Sequence, residues 1–68
     1  MTQFIEFTDK GGIRKLLNFS AITEIISHNK TAEIHTVSGN VINLYVAFQT
    51  IKDAVKSNLP ILECGCEI

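Results

Sequence analysis

Sixty-eight residues carry six Lys/Arg against seven Asp/Glu, a formal charge of −1, with 46% hydrophobic and 19% charged side chains. A chain this short is one domain that hides only about 60% of the surface its unfolded form exposes, and such a core supplies roughly 3–5 kcal/mol. The composition excludes a disordered chain, and no apolar run approaches the roughly 20 residues of a membrane span.

The first apolar run is Thr2–Thr8, and Asp9-Lys10-Gly11-Gly12 after it predicts a tight reversal into a returning strand, Ile13–Leu17. Asn18-Phe19-Ser20-Ala21 reads as a corner with one helical turn. A third strand, Ile22–His28, turns at Asn29-Lys30 into Thr31–Val37, and Ser38-Gly39-Asn40 turns that into Val41–Phe48. Hairpin-length connections favour a meander over a parallel sheet, which needs long crossovers. Thr50 reads as a helix cap with Asp53 reaching back, and Ile51, Ala54, Val55 and Leu59 fall on one helical stripe that Pro60 stops. In the remainder, Ile61–Ile68, Leu62, Cys64, Cys66 and Ile68 share one strand face. The expected fold is α+β, mainly β: a five-stranded antiparallel meander with one C-terminal helix over residues 1–59. A strand-like tail, residues 60–68, then packs on its own or a neighbouring subunit.

Side-chain parity puts Ile5, Phe7, Ile13, Leu17, Ile34, Ile42, Leu44, Val46 and Phe48 on the helix-covered face. The register of Ile22, Ile25 and Ile26 stays open, because the corner before them shifts it. The other face mixes Phe4, Leu16, Val37, Val41 and Tyr45 with Glu6, Arg14, Glu33, His35 and Asn43. A two-layer domain leaves such a face wet, so its large apolar groups point to burial against the tail or another subunit.

The run Phe4-Ile5-Glu6-Phe7-Thr8 with its glycine turn, Leu17-Asn18 with Ile22 four residues on, Gly39, Tyr45-Val46 and the Gln49-Thr50 cap resembles the small FlbD/SwrD-like flagellar proteins across residues 4–57. That family usually has Glu-Ser at the cap, and the segment after Pro60 has no counterpart in it. The resemblance implies a non-enzymatic helper protein and no catalytic residue. Ile22, Ile25, Ile34-His35-Thr36 and Gly39 also resemble the first half of a LytTR-type DNA-binding domain. The basic second half is missing, and without a basic excess the electrostatic term for nucleic acid is missing too.

Cys64-Gly65-Cys66 places two thiols two residues apart, and Cys64 and Cys66 are the weak metal candidates, with His28 and His35 as distant further ligands. Zinc sites want paired Cys-x2–4-Cys or His-x3–5-His spacing, so two thiols packed as small hydrophobes is the preferred reading. His35 reads as a surface or interface histidine and His28 as a solvated one. Lys10, Arg14 and Lys15 form a basic rim on the first hairpin, and no carboxylate pair has a catalytic or calcium-loop spacing.

The sequence therefore predicts no enzyme, no cofactor and no metal. Met1-Thr2-Gln3-Phe4 shows no charged segment leading into an apolar stretch, so a cytoplasmic location is expected. The expected function is a small interaction or adapter module acting through self-association or partner binding, with Phe4, Leu16, Val37, Tyr45, Leu62 and Ile68 at the interface. One alternative is a ligand-sequestering or inhibitor protein, for example virus-encoded, whose site lies between subunits, since one small core has no room for a cavity of a few hundred Å³. A second alternative is a DNA-binding regulator.

Overall fold

Asp9 builds the first reversal. Its Oδ1 accepts hydrogen bonds from the backbone N–H groups of Gly11 and Ile13, each at 2.9 Å, and Gly12 takes φ +84°, a conformation that glycine adopts without steric cost. The turn joins β1 (Phe4–Thr8) to β2 (Arg14–Asn18), which pair antiparallel. Asn18 then caps a single 3-10 turn, Phe19–Ala21, its side chain accepting from the Ser20 N–H. β3 (Ile22–His28), β4 (Thr31–Thr36) and β5 (Val41–Leu44) follow as an antiparallel meander. Their turns use Asn29 at φ 38° and Gly39 at φ 88°.

The computed structural model describes residues 1–68, and its strands form two sheets instead of one. Sheet order is β2-β1-β6 in one and β3-β4-β5 in the other. The segment after Pro60 is β6 (Ile61–Cys66), which runs parallel to β1 inside its own chain. The segment expected to be strand-like is thus a strand, packed on its own chain as one of the two expected placements. The crossover between β1 and β6 is everything in between, which is why no local turn signal announced it. The two sheets join where Leu44 bridges Glu67, with Tyr45 N–H donating to the Cys66 carbonyl at 3.1 Å and Ile68 N–H to the Asn43 carbonyl at 2.9 Å.

Helix α1 (Phe48–Lys56) links β5 to β6. It begins two residues before the expected Thr50, capped at Ala47 with no side-chain bond, so the Thr50–Asp53 cap does not form. Asp53 accepts from Gln49 Nε2 at 2.8 Å instead. The helix ends in a Schellman arrangement: Asn58 at φ 55°, its N–H donating to Val55 and the Leu59 N–H donating to Ala54.

The core lies between the sheets and the helix. Ile5, Phe7, Ile34, Leu44, Val46, Ile51 and Leu62 fill it, with Ala32, Ala54 and Cys64. Leu17, Ile42, Ile22 and Ile25 pack partly against it. A bulge between Ile22 and Glu24 settles the open register: Ile22 and Ile25 turn inward and Ile26 faces out. Four expected core positions fall outside it, among them Phe48, which does not end the fifth strand but opens α1 and is half-buried. Ile13 sits in the turn, 61% exposed, and Val55, on α1, and Leu59, beyond the helix end at Lys56, are exposed. No helix is long and apolar enough to cross a membrane.

Candidate protein-interaction surface

The six residues expected at an interface separate into four places. Tyr45 and Ile68 both lie at the seam between the sheets, where the Tyr45 N–H donates to the Cys66 carbonyl and the Ile68 N–H to that of Asn43, two residues along β5 from Val41. All three of Tyr45, Val41 and Ile68 are exposed, Tyr45 by 61%. Phe4 and Leu16 form a second strip on the outer face of the first sheet. There Phe4 pairs with Ile61 on one side and Asn18 on the other, while Leu16 pairs with Glu6. Val37 projects alone from the β4–β5 hairpin, 70% exposed. Leu62 leaves the set, since it is 5% exposed and belongs to the core. Alternation along β6 turns it inward, and the sheet it joins closes over it.

The polar part of the outer face is organised around Glu33. Strand alternation turns Thr31, Glu33 and His35 outward while Ala32, Ile34 and Thr36 point in. His28 donates from Nε2 to Glu33 Oε1 at 2.8 Å, and His35 donates from Nε2 to Oε2 of the same carboxylate. These bonds, that from His35 first, hold the Glu33 carboxyl below its usual 4.5. His28, expected to be merely solvated, is thus tied down at one end. The hairpin makes this cluster: alternation puts Glu33 and His35 on one face, and the pairing of Ile26 with Glu33 brings His28 to them as a diagonal neighbour. On the first hairpin Arg14 pairs with Glu6 at 2.8 Å and Lys15 with Asp9 at 2.9 Å, so two members of the basic rim are spent on local partners.

The two cysteines face opposite ways. Cys64 is 8% exposed in the core, and burial pushes its thiol up to about 11. Cys66 is exposed, because a register shift in the β1–β6 ladder between Glu6 and Thr8 brings it level with outward-facing Thr8. They therefore do not share a face as expected, and they do not converge on one ion. No group of three or more His, Cys, Asp or Glu side chains has an arrangement suited to a metal ion.

A groove of about 470 Å³ runs between β3 and α1. Phe19, Ile22 and Ile25 line one wall, Phe48 and Val55 the other, with Lys52 and Lys56 on its helical rim and Glu24 on its strand side. A space of this size was expected only between subunits. It fits on one small chain because it lies open at the sheet edge and takes no volume from the core. Comparison with family models, with curated proteins and with solved structures gave no match.

Proposed function

We propose that this chain is a small non-enzymatic interaction module that works by covering its outer sheet faces with another protein, a second copy of itself included. One observation carries the reading. Eleven large hydrophobic side chains are exposed, against seven large ones in the core. Isolated exposed hydrophobes are ordinary, but Tyr45, Val41 and Ile68 are all exposed near one seam, and tyrosine is among the residues that dominate interface centres. The resemblance to flagellar helper proteins over residues 4–57 fits the same reading.

Light scattering tests it. Self-association should weaken in Tyr45→Ala far more than in Lys30→Ala, which alters an exposed turn residue. Equal oligomer populations in wild type and Tyr45→Ala would remove the seam from any self-association.

A further inference from the structure

A second surface, separate from the outer faces, has features that define its occupant. β3 has a neighbour on one side only, since the sheet order ends there. Alternate residues of an antiparallel edge strand turn their N–H and C=O groups away from the sheet, and such an edge is a template for one more strand. The groove of about 470 Å³ lies along this edge. A strand laid there would point every second side chain inward against Ile22, Ile25 and Val55, which line the groove.

Charge selects among strands. Lys52 and Lys56 stand four apart on α1 and both border the groove. Neither takes part in an ion pair, whereas Arg14 and Lys15 both do. With Glu24 opposite, the groove carries +1 on a chain whose total is −1. A second copy added by two-fold pairing of β3 would bring four lysines together with only two Glu24 carboxylates, an excess of like charge that opposes docking. An extended segment with carboxylates places opposite charge there.

We propose that the β3–α1 groove captures an extended segment of a partner protein in which apolar and acidic residues alternate, added as a strand to the β3 edge. Backbone hydrogen bonds to β3 supply register, the apolar residues fill the groove, and the acidic ones reach Lys52 and Lys56. This is strand addition beside a helix, a mode in which the main chain gives affinity and the pockets give specificity. It does not rest on the Tyr45 seam and stands if that reading fails.

The test selects binders for the intact chain from a displayed library of random dodecapeptides, then measures the enriched sequences as free peptides by fluorescence anisotropy. Enriched peptides should alternate aliphatic with Asp or Glu. N-methylation at alternate peptide residues should abolish binding, and the same change at the intervening residues should leave it intact. The exposed double variant Lys52→Glu/Lys56→Glu should lose about tenfold in affinity, with its circular dichroism unchanged. Val55→Asp should lose at least as much, and Tyr45→Ala should bind as wild type. Failure to enrich any sequence, enrichment of basic or unpatterned peptides, or binding indifferent to N-methylation or to both groove variants would overturn the proposal. So would a wild-type dimer that Val55→Asp separates into monomers, because the occupant would then be a second copy.

Discussion

Glu33 receives two imidazole N–H donors on an otherwise mixed surface, and the consequence is a pH dependence with a definite sign. Its carboxyl titrates below 4.5 in the folded chain, held there by His35 and then His28. A depressed folded value means that the unfolded chain binds the proton more readily. The contribution is therefore present above about pH 4.5 and is lost as pH falls through the folded value. Asp9 behaves in the same direction, through the hydrogen bond from the Ile13 N–H first and Lys15 next. Urea unfolding at a series of acidic pH values should show a shallower fall in stability for Glu33→Gln than for wild type. Identical slopes would mean that the carboxylate gains nothing from its two rings. Cys64 gives the opposite sign. Its buried thiol stays protonated to about 11, against an ordinary 9.0, so between those values unfolding releases a proton and stability falls as pH rises. At pH 8 a thiol reagent should modify one cysteine per native chain, the exposed Cys66, and two in denaturant. Two rapid equivalents in the native state would place Cys64 outside the core.

Helix α1 carries its weakness at one end. Ala47 occupies the cap position with φ −71° and ψ 139°, and offers no acceptor to the first N–H groups. Those angles suit Asp or Ser, whose side-chain oxygen would satisfy one orphan donor and, for Asp, meet the positive end of the helix dipole. Ala47→Asp should stabilise the chain by about 0.5–2 kcal/mol, a rise of several degrees in Tm for a domain of this size; no rise would mean that this terminus is already satisfied by solvent. The opposite end needs no such repair, because Asn58 closes the Schellman turn. Local signals in the sequence announce the elements that are built locally. Asp9 with its two glycines, Asn18 before the 3-10 turn, Asn29-Lys30 and Gly39 all mark reversals that form. The helix start escaped because the apolar alternation of Val41–Phe48 reads as one strand, whereas β5 stops at Leu44 and α1 opens at Phe48, which leaves Thr50 inside the helix. Alternation gives the two thiols one face, and a bulge that alternation does not reveal turns the second of them outward. The β3–α1 groove escaped because it exists only once a strand and the helix are brought together, whereas the His28–Glu33–His35 cluster needs only the Asn29-Lys30 hairpin and the shared face of Glu33 and His35, both legible in the sequence.

The chain closes on itself through its two ends, and that closure decides how the molecule fails. Gln3 and Phe4 donate backbone N–H groups to the Pro60 carbonyl at 2.8 and 3.1 Å, and Thr2 Oγ1 donates to Ala54 at 3.3 Å. The Glu67 N–H donates to Thr8 at 2.8 Å while Leu44 bridges Glu67, so β6 and its final residues staple one sheet to the other. Pairing of segments this far apart in sequence must overcome nearly the whole loop-closure entropy of the chain, and alternation within Ile61–Ile68 shows a strand without showing its partner. A tail docked loosely on a finished domain would tolerate damage; a strand that completes the core would not. Leu62, fully inside, separates these cases. Leu62→Ala should cost about 2–5 kcal/mol, comparable to the roughly 3–5 kcal/mol that a core of this size supplies, leaving the variant largely unfolded by circular dichroism. Ile68→Ala, at the exposed end of the same segment, should stay within about 0.5 kcal/mol of wild type. A small and equal loss for both would mean that the first five strands and the helix stand alone, with β6 an accessory; a large loss at Leu62 alone means that the sixth strand is what makes two weak sheets one domain.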